Sequence, residues 1–98
     1  MKTIPPFKLV LEPVGDDARA MQGFKWAPEN IGKRHRIGGV PEFLQQSKWP
    51  TCSVCQRDMT FYAQLDSIGD DLVIADCGMV YVFICFDCCE TASIIQSG

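Results

Sequence analysis

Met79-Val80-Tyr81-Val82-Phe83-Ile84-Cys85-Phe86 is the longest apolar run in this chain of 98 residues. It is far shorter than the ~20 apolar residues that a membrane-spanning helix needs, and its β-branched and aromatic side chains suit a strand. Working outward, Cys77-Gly78 supplies a turn before the run, residues 71–75 read as a preceding strand and Gly69-Asp70 as the turn before that. Residues 60–65 and 91–96 read as two further strands. Connections this short favour antiparallel neighbours, so the predicted fold is mainly β, a small antiparallel sheet domain.

The N-terminal half carries weaker patterns. Residues 7–12 place Phe7, Leu9 and Leu11 on one face of a strand stopped by Pro13 and Gly15. Residues 16–21 read as one helical turn, and residues 23–27 as a short strand ended by Pro28. From 29 to 50 the chain is irregular, broken by Gly32, Gly38, Gly39, Pro41 and Pro50, with a helical turn at 42–46. Phe43, Leu44 and Trp49 mark this stretch as a packed loop lying over a sheet. Residues 1–98 form one domain, with N-terminal strands in 1–30 and the cysteine-containing core in 31–98.

Cys52/Cys55 and Cys85/Cys88 form two C-x-x-C pairs separated by 29 residues. The first pair precedes a predicted strand and the second follows one, so an intervening hairpin would bring them together. Residues 1–7, with Pro5 and Pro6, contain no apolar stretch of signal-peptide length, so a cytoplasmic location is expected. In a reducing compartment, paired C-x-x-C motifs read as a metal or redox site before they read as disulfides. Each tight turn presents two thiolates to one ion, and the prediction is a single structural zinc site with four cysteine ligands, Cys52, Cys55, Cys85 and Cys88. Cys89 is a substitute for Cys88 as fourth ligand. A domain of this size gains from such a staple, because small chains bury a small fraction of their surface. An all-cysteine set leaves no open position for substrate, which points to structure over catalysis. Buried thiols acting as small hydrophobes, and a redox dithiol, are the competing readings. Cys77 reads as a plain thiol in a turn.

The net charge of −3 hides an asymmetry: residues 1–48 balance at +3 and residues 49–98 at −6. Four thiolates around one zinc ion would add about −2 to the second half. That half would repel phosphate, so nucleic acid is not an expected partner, nor is a membrane. Asp66, Asp70 and Asp71 are the candidate acidic contacts for a protein partner. Lys33, Arg34, His35 and Arg36 are either a site for an anion or acidic partner or, as charge runs usually are, a solvated basic loop. Ile37 stands where the H-x-E acid of a zinc deaminase would be, and neither G-x-S-x-G nor a phosphate-binding glycine loop is present.

The order Arg36-Ile37-Gly38-Gly39-Val40-Pro41-Glu42-Phe43, Trp49-Pro50-x-Cys52-x-x-Cys55, Met59-x-Phe61-Tyr62-x-Gln64-Leu65 and Val80-Tyr81-Val82-Phe83-Ile84-Cys85 resembles the N-terminal half of the programmed cell death protein 2 family. More loosely, it is similar to bacterial YwqG-like proteins of unassigned function. The resemblance covers about residues 34–90. It implies a β-rich zinc-containing domain without a catalytic role, and a chaperone-like hold on a basic client protein, to which an acidic surface is suited. For the Gly38-Gly39-x-Pro41 loop, turn chemistry alone competes with a binding role. Gln64 reads as a buried amide bonded to loop backbone, with client contact as the alternative. The expected function is a non-enzymatic, zinc-stabilised protein-interaction module. The alternatives are a small thiol-redox or other enzyme using a C-x-x-C pair, and an acidic toxin-neutralising protein.

Overall fold

The computed structural model describes residues 2–98. Its centre is the antiparallel pair of β3 (Thr60–Asp66) and β4 (Met79–Cys85), with β5 (Glu90–Gln96) paired along the whole of β4. Two strands of two residues each, β1 (Phe7–Lys8) and β2 (Arg36–Ile37), extend the sheet beyond β3. The result is one five-stranded antiparallel sheet in the order β1-β2-β3-β4-β5. A single helix is found among the described residues, α1 (Asp16–Met21), and none of its residues is buried. No helix there is long and apolar enough to cross a membrane.

Strand alternation sets the core. Met79, Tyr81, Phe83 and Cys85 of β4 all point to one face and are buried. Phe61 of β3 lies opposite Phe83, and a β-bulge between Phe61 and Ala63 then shifts the register by one residue. The extra residue, Tyr62, changes which positions face inward. After it, Gln64 opposite Tyr81 and Asp66 opposite Met79 point to the core face. The loop from Val40 to Pro50 covers that face, as the sequence predicts. Phe43 packs against Tyr81 with ring centroids 5.1 Å apart, and Trp49 meets Phe83 edge-on at 5.4 Å. Trp49 Nε1 donates to the Met59 carbonyl at 2.7 Å, so the large ring buries with its polar atom satisfied.

Five local expectations are corrected. Residues 71–75 are not a strand, because β3 and β4 pair directly and their remaining edges are taken by β2 and β5. The connection instead folds on itself: Ser67 Oγ accepts from Ile74 N–H and donates to the Gly78 carbonyl, both at 2.9 Å. Ala75, Asp76 and Cys77 take left-handed φ values of 40°, 57° and 62°. Residues 42–46 do not form a helical turn, because their backbone groups are claimed from outside. Tyr81 Oη donates to the Glu42 carbonyl at 2.8 Å and accepts from Leu44 N–H, while Gln96 accepts from Gln45 N–H and donates to the Gln46 carbonyl. The N-terminal strand is only Phe7–Lys8, and of residues 23–27 only Gly23 makes a bridge, to Gly69. β2, conversely, lies inside the stretch read as irregular; two residues are too few to carry a pattern.

Gly38 and Gly39 turn the chain out of β2 with φ of 73° and 71°. A Cβ on Gly38 would collide with the Pro5 carbonyl oxygen, so this glycine is needed for close approach of the N-terminal segment as well as for its left-handed backbone. Gly39 N–H donates to the Ile4 carbonyl at 2.7 Å and Gly38 N–H to the Tyr62 carbonyl at 2.8 Å, next to the bulge. Turn chemistry accounts for this loop. Gln64 is fully buried and donates to the Arg34 carbonyl at 2.9 Å while accepting from Glu42 N–H at 3.0 Å. It is the loop-bonding amide that its place in the sequence predicts.

Candidate metal centre

Cys52 and Cys55 lie in the turn before β3; Cys85 ends β4, and Cys88 lies in the turn leading to β5. Because β3 and β4 are antiparallel, the start of one meets the end of the other, with Thr60 opposite Ile84. The sulfur atoms of Cys52, Cys55, Cys85 and Cys88 all lie within 4.8 Å of one another. This group can hold a metal ion.

The two turns have the same construction. Gln56 N–H donates to the Cys52 carbonyl at 2.8 Å, and Cys89 N–H donates to the Cys85 carbonyl at 2.9 Å. In each, the residue after the second cysteine is left-handed, Gln56 at φ 63° and Cys89 at φ 57°. Val54 N–H points at Cys52 Sγ from 3.4 Å, a backbone dipole aimed at sulfur that favours thiolate. An antiparallel bridge between Thr51 and Asp58 closes the first turn, and Cys52 N–H donates to the Arg57 carbonyl at 2.8 Å. Arg57 also reaches Asp87 across the gap at 3.5 Å, but both groups are exposed and such pairs contribute little.

The donor set fits a tetrahedral thiophilic ion. Four sulfurs about 2.3 Å from a central zinc would stand roughly 3.8 Å apart, and Cys55 Sγ and Cys85 Sγ are 3.8 Å apart. The thiols are also electrostatically unlike one another. The Cys55 N–H, aided by that of Val54, outweighs burial and pulls Cys52 down to about 7. Burial, reinforced by the neighbouring Cys55, Cys52 and Cys85 sulfurs, pushes Cys88 up to about 12. Four thiolates are not held together at neutral pH without a cation, so metal entry displaces protons. Cys52 is fully buried and Cys85 nearly so, within the core cluster that contains Phe61 and Phe83. The centre is therefore continuous with the hydrophobic core.

Cys89 is exposed and outside this group, so the structure gathers Cys88 and not its neighbour. The left-handed turn explains this: Cys89 occupies the position that closes the hydrogen bond to Cys85. Cys77 lies before β4, at the end opposite Cys85, half-buried. Burial, aided by Asp76, pushes its thiol up.

The charged candidates separate. Asp66 is 2% exposed, so it is not a surface contact. Its carboxylate takes a forked ion pair from Arg34, with Nη2 to Oδ1 at 2.6 Å and Nε to Oδ2 at 2.8 Å, plus the N–H groups of Gly32, Arg34 and Ser67. Burial alone would raise the Asp66 carboxyl, but Arg34 and these N–H groups hold it below the usual carboxylate value. Arg34 also donates to the Cys77 carbonyl at 2.9 Å. His35 is buried too; its Nδ1 accepts from Asp66 N–H at 2.9 Å, which leaves the proton on Nε2, 3.1 Å from the Gly32 carbonyl. Arg36 pairs with Glu42 at 2.5 Å. Of the basic cluster, only Lys33 is a solvated side chain, and of the three acids only Asp70 and Asp71 are exposed. The solvated-loop reading describes only Lys33, because Arg34 and His35 are bonded to Asp66, 32 and 31 residues away, and Arg36 to Glu42.

No protein-family model matches the chain, and no solved structure matches it. Over 63 residues the chain is 38% identical to the uncharacterized protein YpfL of Salmonella typhimurium strain LT2. That match covers 62% of this chain and 14% of YpfL, so the chain spans only a small part of that relative's length. The resemblance to the programmed cell death protein 2 family rests on the order of motifs alone.

Proposed function

We propose that this chain is a zinc-stapled protein-interaction module of the cytoplasm, with no catalytic chemistry of its own. The observation that carries the metal reading is the gathering of four sulfurs within 4.8 Å between two turns of matching construction. A tetrahedral all-thiolate set selects zinc or an iron–sulfur cluster, and four sulfurs within 4.8 Å of one another leave room for one ion, which favours zinc. With four protein ligands the ion would have no free position, so its contribution is to hold β3 and β4 together.

The interaction reading draws on the free edge of the sheet. β5 is a seven-residue edge strand whose one charge is Glu90, with no lysine, proline or bulge to discourage pairing. Among the described residues, its backbone makes no bond outside the β4 ladder. Its outward-facing Ile95 is 59% exposed, beside Val80 and the 42% exposed Leu65. An extended segment of another protein can add to such an edge. With Asp66 buried, a chaperone-like hold on a basic client would rest on Asp70 and Asp71.

Zinc and thiol analysis of the purified protein tests the metal reading. One zinc per chain with the Cys52, Cys55, Cys85 and Cys88 thiols protected from alkylation is expected. Metal-free protein with a reactive Cys52 would support thiol-redox chemistry instead, the reading to which the lowered Cys52 pKa lends weight and its complete burial does not. For the interaction reading, capture of partners from a lysate of the source cells is compared for wild type, Ile95→Lys, and Asp70→Lys with Asp71→Lys. Loss with Ile95→Lys assigns the edge, loss with the aspartate variant assigns the acidic surface, and undiminished capture by both contradicts this account.

A further inference from the structure

At the end of the sheet away from the four cysteines, the chain after β1, the turn after α1, the segment before β2 and Ile68 line a pocket of about 330 Å³ that opens to solvent. Its walls are largely apolar, from Leu9, Leu11, Ile31 and Ile68, and Lys8 and Lys33, both exposed, are the titratable residues on its lining besides His35. No acidic residue lines it, in a chain whose net charge is −3. Neither lysine has an ion-pair partner among the described residues, although Arg19, Arg34, Arg36 and Arg57 all do. The His35 ring on the lining has both nitrogens committed to the backbone of Asp66 and Gly32, so that wall is held in place. Gly32 is needed there as well: its φ is +92°, and a Cβ would press on Phe24 at 3.3 Å.

We propose that this cavity binds a small anionic amphiphile: a carboxylate on an aliphatic chain, its tail against Leu9, Ile31 and Ile68 and its head group between Lys8 and Lys33. The volume lies near the lower end for ligand pockets and accommodates roughly ten heavy atoms at about 30 Å³ each. Apolar burial supplies the affinity, and the two unpaired cations select the sign of the head group. The cavity and the metal centre lie at opposite ends of β3, so this inference stands independently of the zinc reading.

The probe is decanoate, with decylamine and decanol as controls, titrated into the full chain carrying ¹³C-labelled methyl groups. Saturable shifts of the Leu9, Ile31 and Ile68 methyls are expected with decanoate, at least tenfold weaker with decanol and absent with decylamine. Lys8→Glu with Lys33→Glu should weaken decanoate binding at least tenfold and leave the circular dichroism spectrum unchanged, because both side chains are exposed. Shifts that do not saturate, equal binding of decylamine by wild type, or undiminished binding by the double variant would each overturn the proposal.

Discussion

Replacing Asp66 by Asn keeps the shape of the side chain and removes the charge against which Arg34 is held. The Arg34 guanidinium would then be left largely buried and unpaired beside the Cys77 carbonyl, a change that costs about 3 kcal/mol or more in comparable buried pairs. Urea denaturation should show that loss. The pH dependence has a definite sign: the folded carboxyl is held below its unfolded value, so its stabilisation is complete above the ordinary Asp pKa of about 3.9 and disappears as pH falls through the lower folded value. Between neutral pH and pH 5 the wild-type advantage over Asp66→Asn should therefore be constant, and it should shrink below pH 4. At the cysteines, Cys89→Ser should leave metal content and melting temperature unchanged, whereas Cys88→Ser should lose the metal, as metal analysis and thermal unfolding will show. These two kinds of residue differ in legibility. The four ligands announce themselves by a two-residue gap that one ion requires, whereas Asp66 and Arg34 are 32 residues apart and nothing local in either marks the other.

At the scale of elements, the covering loop shows how tertiary bonds displace local preference. Residues 42–46 contain enough helix-formers to suggest a turn of helix, yet Tyr81 and Gln96 on neighbouring strands take their backbone groups. Tyr81→Phe should cost about 1–2 kcal/mol, because the Glu42 carbonyl and Leu44 N–H both lose a partner. Amide exchange should then quicken at Leu44 while the centre of β4 keeps its protection. The long strands were readable because β-branched and aromatic residues recur in them at strand length, and that information is local. The irregular path of residues 71–75 was not readable, for a topological reason. Their composition suits a strand, but no strand edge is open to receive them between β3 and β4. β2 pairs Arg36 and Ile37 with β3, flanked by the Gln64 bond to the Arg34 carbonyl before it and the glycine turn after it.

At the scale of the whole molecule, the metal centre and the aromatic core form one unit. Cys52 and Cys85 belong to the same buried cluster as Met59, Phe61, Met79, Tyr81 and Phe83, so loosening the sulfurs exposes the core. The sheet's contacts are carried mainly by β3, β4 and β5, and the two C-x-x-C turns lie at the shared end of that trio. A bound ion there would act as a fourth side to the core, and its binding free energy would be folding free energy. The most direct measurement is far-UV circular dichroism during stepwise zinc chelation of the reduced protein, with the released metal counted. The account predicts loss of one zinc per chain together with cooperative loss of the β-sheet spectrum, restored when zinc is returned. An unchanged spectrum and melting temperature after complete removal of zinc would contradict it.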